Sequence, residues 1–256
     1  MSVAGIGMPP LVAVGHGSRD PRSAASITSL LGVLRSARPW LDVRPAFLDL
    51  SAPRLTDVLD AVQAEGHFGA VVVPLLLGSA YHARVDVPAT VRDVVRRHPR
   101  MRIGVTDVLG PDDRLEMVAL RRLVDAGASV DDRGLGVIVA ATGSSHPQAN
   151  DAVAGVAQRW ERRYGWAGVS PAFAAAAQPD VAAAVRSLRE CGARRIAVAS
   201  WFLAPGLLPD RIIDGVLAED PAAVIADPLG TAAEVADVIV DRYSEAATAG
   251  RVRRGA

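Results

Sequence analysis

A chain of 256 residues, half of them apolar, has length for two ordinary domains and too many core-forming side chains for intrinsic disorder. Its 28 basic residues, all arginine, balance 28 acidic ones, so no global field draws it toward nucleic acid or anionic lipid. The single cysteine, Cys191, excludes an internal disulfide framework and a multi-cysteine zinc site, and points to a reducing, cytoplasmic setting.

Met1 to Pro10 lacks the basic start and apolar core of a secretory signal and reads as a short leader. The apolar run Leu11 to Val14 is long enough for a buried strand, and it stops at His16, held between Gly15 and Gly17. Asp20 followed by Pro21 then reads as an N-cap and first helical residue. Strands are expected near 11–15, 43–48, 70–75 and 102–106, with helices near 21–36, 53–65, 84–97 and 112–126. That alternation predicts α/β architecture with a mostly parallel sheet. The longest apolar stretch, Phe68 to Leu77, contains Pro74 and is too short to span a bilayer, so no membrane role is suggested. Aspartates and arginines crowd residues 131–133 ahead of Gly134, where the alternation restarts. This is the best candidate for a linker between a domain at 1–130 and another at 134–256.

The restart is a repeat. At a spacing of 126, Gly17-Ser18 matches Gly143-Ser144, Pro21 matches Pro147, and Pro45-Ala46-Phe47 matches Pro171-Ala172-Phe173. Trp40, Pro53, Gly66 and Leu77 pair with Trp166, Pro179, Gly192 and Leu203, after which the spacing shortens to 120, pairing Asp107 and Leu109-Gly110 with Asp227 and Leu229-Gly230. Two copies of one α/β domain, fused as a pseudo-dimer, account for this.

Aligning the copies separates chemistry from scaffold. His16 pairs with Thr142, Asp49 with Ala175 and, at the 126 spacing, His82 with Leu208. The first half is metal-capable at all three positions and the second at none. His16 follows the first strand, Asp49 the second, and His82 lies a few residues beyond the third; in a parallel sheet all three rise at the carboxyl edge. Two imidazoles and a carboxylate suit a divalent first-row metal with open positions left for a substrate. Two other histidines read as structural, His67 in a Gly-His-Phe-Gly turn and His98 at the end of a basic helix, while His146, in the place of Asp20, marks a helix start with a position facing the cleft between the halves as the alternative.

The Gly-His-Gly-Ser-Arg-Asp-Pro opening, Ala46-Phe47-Leu48-Asp49, the Val-Pro-Leu-Leu-Leu-Gly run before His82, Asp86-Val87-Pro88 and Leu109-Gly110-Pro111 together resemble the sirohydrochlorin chelatase family. These are class II chelatases that insert iron or cobalt into sirohydrochlorin, for sirohaem or cobalamin. The resemblance implies two tandem chelatase-like domains, the second degenerate at the site. It implies that His16 and His82 hold the metal and act on the macrocycle, and that Asp49 assists where the family usually has glutamate. Sirohydrochlorin carries many carboxylates, so Arg19, Arg22 and Arg84, beside the motif residues, are expected to bind substrate, with Ser79 and Tyr81 in the run before His82. The divalent metal is a substrate, Fe²⁺ or Co²⁺, with Ni²⁺ or Zn²⁺ left open, and no other cofactor is expected. No Walker A loop and no G-x-G-x-x-G occurs. The other readings are a hydrolase or phosphatase, disfavoured by the lack of a G-x-S-x-G elbow, and a metal or tetrapyrrole carrier without catalysis. The expected state is a monomer that contains its own pseudo-dimer.

Overall fold

The computed structural model describes residues 8–78 and 85–252. The first half runs β1 (Leu11–Gly15), α1 (Pro21–Ala37), β2 (Val43–Phe47), α2 (Leu55–Ala64), β3 (Gly69–Pro74), α3 (Val87–Arg97), β4 (Arg102–Val105) and α4 (Asp113–Asp125). The second repeats that order: β5 (Leu135–Ala141), α5 (Pro147–Arg163), β6 (Gly168–Phe173), α6 (Val181–Glu190), β7 (Arg195–Ser200), α7 (Leu207–Glu219), β8 (Val224–Ile225) and α8 (Ala233–Val252). Each set of strands forms a four-stranded parallel sheet, ordered β2-β1-β3-β4 and β6-β5-β7-β8. The expected α/β class and parallel pairing are therefore observed. The central strands read as unbroken apolar runs because helices cover both faces of each sheet.

Alternation along β1 shows how the layers stack. Leu11 and Ala13 face a core shared by the two halves, while Val12 and Val14 face a separate core under α2 and α3. In β5, Val137 and Val139 face the shared core, and Ile138 and Ala140 face one under α6 and α7. The layers thus run α2 and α3, first sheet, a shared helical layer, second sheet, α6 and α7.

Within the shared layer the last helix of each half crosses to the other sheet. α4 packs on β7, whereas α8 packs on β3, β4 and α1. Tyr243 of α8 is fully buried, and its hydroxyl donates to Pro9 O at 2.7 Å. Arg242 donates to the carbonyls of Val108 and Leu109 at 3.1 and 3.3 Å. Arg114 and Arg121 of α4 pair with Asp241 and Glu234 of α8, and Arg159 of α5 pairs with Glu116 of α4. The acid- and arginine-rich connection is tied down as well: Asp132 accepts from Gly134 N at 2.9 Å and pairs with Arg195, and the Trp166 indole donates to Ser129 O at 3.0 Å.

α7 starts at Leu207, four residues after Leu203, while α3 starts at Val87, ten after Leu77. Residues 79–84, which carry His82, lie outside the described residues. His98 caps the end of α3 with Nε2 2.9 Å from an Asp60 oxygen, and His146 is the N-cap residue of α5.

Two expectations follow from the crossed helices. Tyr243→Ala should lower the unfolding free energy by about 3–5 kcal/mol in urea denaturation, with both halves unfolding in one transition. The Arg121 guanidinium lowers the Glu234 carboxyl from its ordinary 4.5 to about 2. A carboxyl depressed in the folded state adds stability that is complete above its unfolded value and is lost as the pH falls toward 2. Arg121→Ala should therefore flatten the fall in stability below about pH 4.5, read from denaturation midpoints across that range.

Candidate functional site

β1 and β3 are neighbours whose following connections run in opposite directions, to β2 and to β4, so a crevice opens beyond their carboxyl ends. His16 is the first residue of that crevice. Parallel pairing continues past the strand ends: Leu48 N donates to Gly15 O and Asp49 N to His16 O, each at 3.0 Å. The two loops are pressed so closely together that a Cβ on Gly17 would fall 1.7 Å from Asp49 O, and Gly17 also has φ +94°. Only glycine meets both conditions. The Ser51 hydroxyl accepts from Ser18 N and donates to Ser18 O, both at 3.1 Å. The Ser18 hydroxyl accepts from Asp20 N at 3.0 Å, and Asp20 caps α1 by accepting from Arg22 N at 2.9 Å.

The second half builds the same loop with other side chains. Ala174 N and Ala175 N donate to Ala141 O and Thr142 O at 3.0 Å, and Gly143 has φ +83° with Ala175 O 2.0 Å from its would-be Cβ. Asn150 takes over from Ser51, accepting from Ser144 N at 2.9 Å and donating to Ser144 O at 2.7 Å. Backbone geometry is retained in both copies while imidazole and carboxylate occur in one.

Two cavities open at these edges. One of about 460 Å³ is lined by Gly15 to Arg19, Phe47, Leu50 and the second-half segment Phe202 to Pro209, with Arg211. The other, about 500 Å³, is lined by Leu75 to Gly78 and the second-half residues Thr142 to Ser145, Asn150, Trp201 and Phe202. His16, Thr142 and Phe202 belong to both walls, so the cavities form one cleft between the halves, with His16 where they meet.

The expected site residues separate into groups. His16 is half-buried in the cleft, and Arg19 is exposed on its wall. Asp49 is joined to His16 through the main chain, but its side chain is 61% exposed, lies 3.8 Å from Arg54 and forms no part of either wall. Among the described residues, no three metal-capable side chains converge. Arg22 is paired with two carboxylates, Asp20 of the first half and Asp210 of the second. The Arg22 hydrogen bond also holds the Asp20 carboxyl below its ordinary range. His82, Ser79, Tyr81 and Arg84 lie outside the described residues. Sequence reasoning missed Trp201, Phe202 and Arg211. The first two were detectable through the repeat, since Trp201 N donates to Ala140 O as Leu75 N does to Val14 O, both at 2.8 Å. Arg211, one arginine of an ordinary amphipathic helix, had no such signal.

The CbiX family model matches residues 10–126 and again residues 136–246. The chain belongs to the CbiX family. Among the relatives of this CbiX chain, the sirohydrochlorin ferrochelatase of Bacillus subtilis (strain 168) is 25% identical over 237 residues, covering 91% of this chain and 90% of the relative. A sirohydrochlorin cobaltochelatase of Priestia megaterium is 23% identical over 210 residues, covering 80% and 67%. The structure of SirB from Bacillus subtilis with Fe³⁺ aligns with a TM-score of 0.80 at 24% identity, over 95% of this chain and 97% of that one. The CbiX chain thus has the fold of two tandem chelatase-like domains. Among the described residues, no helix is long and apolar enough to cross a membrane.

The tight loop makes a comparative prediction. Gly66 has nearly the same φ as Gly17, +90°, with nothing within 4 Å of its would-be Cβ. Gly66→Ala should cost about 1–2 kcal/mol from backbone conformation alone. Gly17→Ala should cost a further ~1–3 kcal/mol from the clash, measured by urea denaturation of both variants.

Proposed function

We propose that this chain is a metal chelatase that inserts Fe²⁺ or Co²⁺ into sirohydrochlorin, with the working site in the first half and the second half as the opposite wall. The observation that carries the reading is the position of His16: an imidazole at the strand-order reversal, where two cavities join in a chain that matches the CbiX model twice. Ferrochelatase and cobaltochelatase relatives matched over most of their length support the substrate. The fused repeat and its crossed helices support the further reading of an internal pseudo-dimer.

Insertion exchanges two pyrrole N–H protons for one divalent ion, which must first lose water. Neutral imidazoles at His16 and His82 are suited to hold the ion while it is partly dehydrated, and one of them can accept a proton as the macrocycle releases it. Asp49, exposed and near Arg54, fits a role at the solvent end of proton transfer better than one as a ligand. The metal is substrate in this scheme, and no nucleotide or redox cofactor is required.

The test is anaerobic: sirohydrochlorin is mixed with each metal and protein, and the macrocycle absorption is followed. His16→Ala and His82→Ala should each lower the insertion rate at least about a hundredfold, and Asp49→Asn about tenfold or less. A wild-type rate no faster than spontaneous insertion, with the macrocycle still bound, would instead identify a carrier.

A further inference from the structure

The cavity that holds His16 combines apolar walls with two arginines at its margin. Phe47, Leu50, Leu75, Phe202 and Leu207 supply apolar surface, and Leu50 and Leu207 remain 47% and 62% exposed. Arg19 comes from the first half and Arg211, in the first turns of α7, from the second. Among the described residues, neither is in an ion pair with a carboxylate; Arg211 donates from Nη1 to Ala174 O at 3.3 Å, leaving its other donors available. Asp210, beside Arg211 in sequence, is held together with Asp20 by Arg22. Arg19 and Arg211 therefore present guanidinium donors to the cleft from different halves.

An apolar wall edged by guanidinium groups suits a flat ligand with apolar faces and an anionic rim. We propose that Arg211 and Arg19 form a carboxylate clamp across the cleft, gripping the rim of the macrocycle from both halves; this rests on the sirohydrochlorin reading above. The half without metal-capable residues then contributes directly to substrate recognition. The clamp also confers specificity, since a macrocycle whose carboxylates are blocked leaves both guanidinium groups unanswered.

The test separates binding from turnover. The full chain, without metal, is titrated with sirohydrochlorin and with its fully methyl-esterified form, for wild type, Arg211→Ala, Arg211→Glu and Arg211→Lys. Arg211→Ala should weaken binding of the free acid about tenfold, Arg211→Glu more, and Arg211→Lys less, while all four proteins bind the ester alike. Unchanged free-acid binding in the alanine and glutamate variants, with normal wild-type turnover, would overturn the clamp and leave the chelatase reading standing. Equal weakening for acid and ester would also overturn it, by tracing the loss to a disturbed α7. Arg211-dependent binding without wild-type turnover would support the clamp and overturn the chelatase reading.

Discussion

The crossing of α4 and α8 is the constraint on which the rest of the structure depends. Each sheet has one face covered by its own helices and another completed by a helix from the far half. Leu11, Val73, Val137 and Tyr243 consequently lie in the same core. The two halves cannot move apart without exposing that core. The cleft between their carboxyl edges therefore has a width set by packing, and His16 faces second-half walls that are held in place by the same helices.

The repeat shows which parts of the site belong to the scaffold. The glycine with positive φ, the carbonyl pressed against it and the side chain that ties the loop are present in both copies, with Ser51 replaced by Asn150. These requirements are geometric, so they persist where no metal-capable side chain does.

Strands and helices were legible because strands buried on both faces read as continuous valine-rich runs, and glycine, proline and aspartate mark the turns between them. The extents of β1 and α1 follow directly from Leu11 to Gly15 and from the Asp20-Pro21 pair. Helix crossing was not legible, because an amphipathic helix shows that it has a buried face and not which sheet covers it. For the same reason the pairing of Arg22 with Asp210 was not legible: they lie 188 residues apart in sequence, and only the fold brings them together. His16 was visible through its glycines, whereas Arg211 became visible only as part of a wall.

The order of the chain gives the crossed helices a temporal meaning. A ribosome delivers α8 after every other element described, yet β3 and β4 need it as a cover. During synthesis the inner face of the first sheet, partly covered by α1, must therefore wait for α8, while the second sheet can be covered by α4, already made. The inner face of the half that carries His16 is thus completed last, and part of the apolar surface at Val71 and Val73 stays open until α8 is made.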